Sequence, residues 1–285
     1  MTVDNGYAII NIMLASLVVL FGLGIFTYKM ASVWEERDYF AIFKDRWLHG
    51  IGISIALAIG VLIISVIEAK DQLLYSDYSI SILGSDINRS VFIMIPLMIT
   101  VFVMAFSAWT DLWSGHAPSE LAWAGIWTTM PFMLVYMFTA TEKPLVWVPV
   151  LIWGFVAFML YFNRGLGDAD VRLLWLINIA TVWWVGLYWS ALLFTVAAFL
   201  QIVVHAMAQK FGWGRLVNIE YKPREIRRRE FWAKYFRNID PTKESRDRRH
   251  VPFIPVMAIA WIGGLTVLVV WFPSELVINN MFSIF

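Results

Sequence analysis

Cysteine is absent from the 285-residue chain, which excludes a disulfide frame, a thiol nucleophile and any zinc site built on thiolates. Histidine is scarce. His49, His116, His205 and His250 are scattered along the sequence, and only His116 stands near other polar residues of interest, with no second ligand at useful spacing. No metal and no other cofactor is therefore expected. Charge is thin too, since Asp, Glu, Lys and Arg make up 15% of the chain against 60% hydrophobic residues. Internal repeats and low-complexity linkers are missing, which leaves one body with one sizeable loop.

What fills the chain is apolar. Runs near residues 7 to 28, 50 to 67, 90 to 112, 121 to 140, 145 to 162, 171 to 185, 187 to 207 and 253 to 272 approach the roughly 20 residues that cross a bilayer as a helix. The expected class is all-α, a polytopic membrane helical bundle of about eight transmembrane helices. Sixteen tryptophans and ten tyrosines, many near the ends of the runs, suit the aromatic belts of a membrane interface. The first run follows the acidic MTVDN rather than a basic segment and precedes no small-residue cleavage site, so it reads as a retained helix. Leu173 to Met207 is about 35 residues without a charge, long for one span, and is divided near Gly186.

Loop charge sets the expected topology, because Lys and Arg collect on the cytoplasmic side. With eight crossings, nineteen basic residues fall on one side and only Lys70, Arg89 and Lys143 on the other. Both termini are then outside, and Asp111, Asp168 and Asp170 share the cytoplasmic face of a multi-pass cell-membrane protein. Residues 208 to 252 hold thirteen of the bases and six acids, with Trp232, Tyr235 and Phe236 placed for a short amphipathic surface helix. This reads as a solvated loop drawn to anionic membrane lipids. Nothing further supports a nucleic-acid partner.

Acids at a membrane edge are costly and default to functional roles. Asp111 closes the third run in "FSAWTDLWSGHAPSELAWAGI", where it also suits a turn cap. In "GLGDADVRLLW", a helix starting near Asp168 puts Asp168 and Arg172 four apart on one face, where they pair, or lets Asp168 cap the helix. Asp170 then faces elsewhere, and Asp111 lies on the same side of the membrane. Gly165 and Gly167 permit an unusual backbone and close approach of another chain. Two carboxyls brought together titrate as a coupled pair, so that one accepts a proton from water while the other donates to a carbonyl oxygen. That is the chemistry of aspartic peptide hydrolysis. The same acids in a transporter would relay protons or bind cations, and a membrane scaffold would use neither.

The ordered motifs resemble the type IV prepilin peptidase family, especially its archaeal branch that processes preflagellins and pilin-like precursors. "DLWSGHAPSEL" from Asp111 to Leu121 is similar to the family's first motif, Asp-Leu followed by Pro and Leu. "GDADVRLLW" is similar to the second, a Gly-rich segment leading to Asp-x-Lys, with Arg172 in the Lys position. "VPFIPVMAIAW" matches a last helix opened by Pro-x-x-Pro, here Pro252 and Pro255. Counting back from Arg172 makes Asp170 the second catalytic acid, with Asp168 the second choice that a literal Gly-x-Gly-Asp would select. The sequence departs from the family in having Trp113 and Ser114 where a basic residue is common, Ser119 where bacterial members place Asn, and no cysteine zinc insertion. The literal Gly-Leu-Gly-Asp also resembles the presenilin and signal-peptide-peptidase group, but there the two acids lie on successive helices.

The resemblance implies a six-helix peptidase core with two extra N-terminal helices. On this reading residues 1–89 hold the extra helices, 90–207 the catalytic membrane core, 208–252 the basic cytoplasmic loop, and 253–285 the final core helix and an external C-terminus. Asp111 and Asp170 are the expected catalytic acids, with Arg172 in support. Gly165, Gly167, Pro252 and Pro255 are expected to receive the substrate backbone, and the expected partners are pilin-like or archaellin precursors carrying a short basic leader.

Overall fold

Long apolar stretches bury backbone polarity best as helices, because every interior N–H and C=O is then paired within the segment. A computed structural model describes residues 3–36, 46–68, 79–82, 85–139, 155, 168–213, 215–220, 230, 233, 245–250 and 252–271. Its helices are α1 (Val3–Glu35), α2 (Trp47–Glu68), α3 (Arg89–Ser114), α4 (Ser119–Thr139), α5 (Asp168–Phe211) and α6 (Phe253–Trp271). Three stretches among the described residues are long and apolar enough to cross a membrane: Ile10–Glu35, Trp47–Ser65 and Met94–Ser114. Phe253–Val267 is a shorter apolar helix of the same kind. The fifth apolar run, residues 145 to 162, lies outside the described residues apart from Phe155.

Two antiparallel hairpins, absent from the sequence-based expectation, accompany the helices. The strands β1 (Ser79–Ile82) and β2 (Ser85–Asn88) pair just before α3, and β3 (Arg215–Glu220) pairs with β4 (Ser245–His250) across the basic loop. Trp232, Tyr235 and Phe236, where a surface helix was expected, lie outside the described residues. The chain forms two compact units, one made of residues 1–199 and 252–285 and the other of residues 200–251.

Within the first unit α3 is central and packs against α1, α2, α4 and α6. Phe102 and Phe106 on α3 are fully buried and stack at 6.3 Å. Phe106 also meets Trp47 of α2 at 5.9 Å and Trp34 of α1 at 6.3 Å. The Trp47 indole N–H donates to the Glu35 carboxylate at 2.7 Å, tying the end of α1 to the start of α2. Gly50 makes this packing possible, since a Cβ there would come within 2.6 Å of the Trp109 indole. The outer faces of α1 and α2 carry exposed Leu14, Val18, Phe21, Ile25, Ile53, Leu57 and Ile63. In water such a face would be a liability, whereas hydrocarbon solvates it.

Helix α5 corrects one expectation. Its 44 residues are helical without interruption, so the chain is not divided near Gly186. A lone glycine costs a helix only about 1 kcal/mol, and α5 contains no proline to break it. Nor does α5 run alongside its neighbours. Leu176 fills the space beside Gly125 of α4, and Leu193 the space beside Gly264 of α6. Between those leucines α5 advances about 25 Å, while the two glycines stand only about 9 and 17 Å from the starts of their helices. Because α4 and α6 both begin close to the end of α3, α5 must cross the bundle obliquely.

Candidate functional site

Asp111 occupies the last turn of α3, buried at 5% exposure. The turn is closed by Gly115, whose φ of 73° suits glycine and whose N–H donates to the Asp111 carbonyl at 2.8 Å. The Ser114 hydroxyl lies 2.8 Å from the Thr110 carbonyl and 2.9 Å from that of His116, and accepts the His116 N–H at 3.1 Å. His116 Nδ1 lies 3.1 Å from the Ser114 carbonyl oxygen. These bonds fold the "SGH" segment tightly around the helix end and direct the chain into α4. The sequence pointed to Asp111, His116 and a turn of Ser, Gly and Pro residues, but not to the bonds of the Ser114 hydroxyl that hold that turn.

The carboxylate of Asp111 is engaged at the start of α6. Its Oδ2 accepts the Ile254 N–H at 3.1 Å across 143 residues of sequence, with the Phe253 N–H also interacting with it. The local sequence explains the choice of partner. A helix begins with four N–H groups that have no intrahelical acceptor. In "PFIP" the ring of Pro255 removes one of them, so Phe253 and Ile254 carry the first donors of the turn, and an acid from α3 meets them. An anion at a helix N-terminus also sits favourably in the dipole, by about 0.3–1 kcal/mol and up to ~2 when partly buried. Pro252 is half-buried and Pro255 buried. The backbone donors beside them, expected to meet a substrate strand, are turned to Asp111 in this structure.

Asp170, half-buried in the first turn of α5, is close enough to Asp111 for the two charges to interact. Two of the acids singled out from sequence are thus brought together from helices that are not adjacent in the chain. Asp168 opens α5 at the position expected of a cap, although its side chain lies outside what the structure describes. Gly165 and Gly167 lie outside the described residues. The Arg172 guanidinium sits 5.1 Å from the ring centroid of Trp123 on α4, a cation–π contact that the sequence reading did not foresee. Two residues beyond Asp111 on α3, Trp113 has the Arg46 guanidinium 4.4 Å over its ring.

The same helix ends thus carry two carboxyls, Asp111 and Asp170, and two guanidinium–indole pairs, Arg172 with Trp123 and Arg46 with Trp113. Arg46 just before α2 and the first N–H groups of α6 touch the C-terminal end of α3, and the charge of Asp170 at the start of α5 lies within electrostatic range of Asp111. Among the described residues no group of three His, Cys, Asp or Glu side chains gathers in a way that could hold a metal ion. Chemically, the arrangement offers two oxygen acids near one another and backbone donors alongside. Comparison with family models, with curated proteins and with solved structures finds no match to this chain.

Proposed function

We propose that the chain is a membrane-embedded aspartic endopeptidase. Its substrate class is the pilin-like or archaellin precursor, cut between the short basic leader and the hydrophobic helix at the cytoplasmic face of the cell membrane. The observation that carries this reading is a buried acid, Asp111, at the C-terminal end of α3 within electrostatic range of Asp170 at the start of α5. The basic residues of the segment 29–48, whose Arg46 lies over Trp113 near the end of α3, support a cytoplasmic assignment.

In this reading one carboxylate takes a proton from water as the water oxygen adds to the scissile carbonyl carbon. The other carboxyl donates its proton to the carbonyl oxygen. Collapse of the tetrahedral gem-diol breaks the C–N bond: the departing amine takes the proton first drawn from water, and one hydroxyl proton of the intermediate returns to the donor carboxylate. Asp111 and Asp170 fill these two roles, with Asp168 the second choice for the latter. Arg172 stays near the start of α5 to orient the acids, and Gly165 and Gly167 admit the extended substrate backbone.

The bond from Ile254 to Asp111 favours one other reading, in which Asp111 is a structural tie between α3 and α6 in a scaffold. Asparagine separates the two, because its amide oxygen still accepts the Ile254 N–H while the acid is lost. Asp111→Asn and Asp170→Asn are each expected to abolish leader removal from a co-expressed precursor in membranes, with Asp168→Asn keeping part of it. Retained cleavage by both Asp111→Asn and Asp170→Asn overturns the peptidase reading. Solute or ion flux with no change in precursor length identifies a transporter instead.

A further inference from the structure

The β3–β4 hairpin has a charge asymmetry that only its register reveals. Residues paired across an antiparallel ladder share a face, and successive residues alternate between faces. Arg215 pairs with His250, Val217 with Arg248, and Ile219 with Arg246. One face therefore holds three arginines, a histidine and two β-branched aliphatic positions, with no acid. Leu216 pairs with Arg249, Asn218 with Asp247, and Glu220 with Ser245, so the opposite face holds one arginine against two acids. A composition count of the loop hides this division, because its acids and bases are mixed along the sequence.

A second feature of the same compact unit lies immediately before β3. Helix α5 ends at Phe211, and Gly212, with φ of 72°, turns the chain. Phe211 and Trp213 stack at 5.4 Å and remain 56% and 57% exposed. Lys210 Nζ stands 5.6 Å over the Phe211 ring. Exposed aromatics beside a cation are the groups that settle at the headgroup level of a bilayer, where the ring has one apolar and one wet side.

We propose that the hairpin face bearing Arg215, Arg246, Arg248 and His250 docks on anionic phospholipid headgroups, with Phe211 and Trp213 as its aromatic anchor. Val217 and Ile219 take the register positions among the arginines on that face, and the acidic positions fall on the opposite face. Each arginine held at an anionic surface strengthens association by about fivefold. Three of them together amount to roughly a hundredfold at low salt, an advantage that fades once the Debye length shortens.

The absence of cysteine makes the test clean, since one introduced thiol is the only labelling site. Val217→Cys and Asn218→Cys, adjacent in sequence and on opposite faces, would each carry an environment-sensitive fluorophore in full-length protein reconstituted into nanodiscs. In phosphatidylglycerol discs the Val217 label should be shielded from acrylamide and the Asn218 label accessible. In phosphatidylcholine discs, or at 1 M salt, both should be accessible. Exchanging Arg215, Arg246 and Arg248 for Gln should expose the Val217 label in phosphatidylglycerol, whereas Arg249→Gln on the other face should not. Equal accessibility of the two labels in phosphatidylglycerol overturns the proposal. So does shielding of the Val217 label that persists in phosphatidylcholine, which would mean a protein contact.

Discussion

Helices α1 and α3 are both long, apolar and suited to cross a membrane, yet they live in different solvents. The Met94–Ser114 stretch of α3 is 89% buried within the protein, and Ile10–Glu35 of α1 only 33%. The difference decides what each helix can carry. A polar group on a lipid-facing surface has no partner and costs several kcal/mol. On α3, enclosed by α1, α2, α4 and α6, the hydroxyls of Thr100, Thr110 and Ser114 bond carbonyls of their own helix, and the Asp111 carboxylate finds a donor on a neighbouring helix, the Ile254 N–H. Only a helix so enclosed can present a buried acid such as Asp111 to another helix. The two N-terminal helices, with no catalytic motif of their own, thereby gain a role in shielding the one that bears the acid.

This contrast can be broken or sharpened by substitution. The largest effect is expected for Asp111→Asn, which should lower precursor cleavage by about 10²–10⁴-fold while leaving the fold intact, as judged by the unfolding midpoint in detergent micelles. Next comes Phe102→Ala on α3, where a fully buried ring is removed. A loss of about 3–5 kcal/mol is expected from reversible unfolding in mixed micelles.

Gly50→Ala tests the seat of α3 against α2. The new methyl would meet the Trp109 indole with Phe106 close behind, costing about 1–3 kcal/mol. Gly264→Ala should cost less than Gly50→Ala, because its obstacle is the flexible end of Leu193. Trp47→Phe, which removes the donor to Glu35, should cost about 1 kcal/mol in the same assay. Val18→Ala on the 72%-exposed face of α1 should be within about 0.5 kcal/mol of the parent. A cost there comparable to Phe102→Ala would mean that α1 packs against a partner rather than against lipid.

The helical class was legible because hydrocarbon-length apolar runs leave the backbone few alternatives. Asp111 was legible as an acid at the end of such a run. Its bond to Ile254 was not, since 143 residues intervene; yet the Pro-x-x-Pro start of α6 already advertised a helix end short of donors and open to an outside acceptor. The continuity of α5 was misjudged from its length, although the segment contains no residue strong enough to stop a helix. Strand β4, "SRDRRH", escaped notice for the opposite reason: polar throughout, it shows none of the apolar alternation that marks a strand, and pairing with "RLVNIE" reveals it. Likewise Arg172 could be aligned with Asp168 by spacing alone, but the nearness of Trp123 depends on how α4 and α5 meet.

Asp111 is gripped twice, its carbonyl by the Gly115 amide and its carboxylate by the Ile254 amide. An acid clamped at both ends behaves as a stationary post. On the proposed peptidase reading, adjustment to a substrate then falls to the first turn of α5, which carries Asp170.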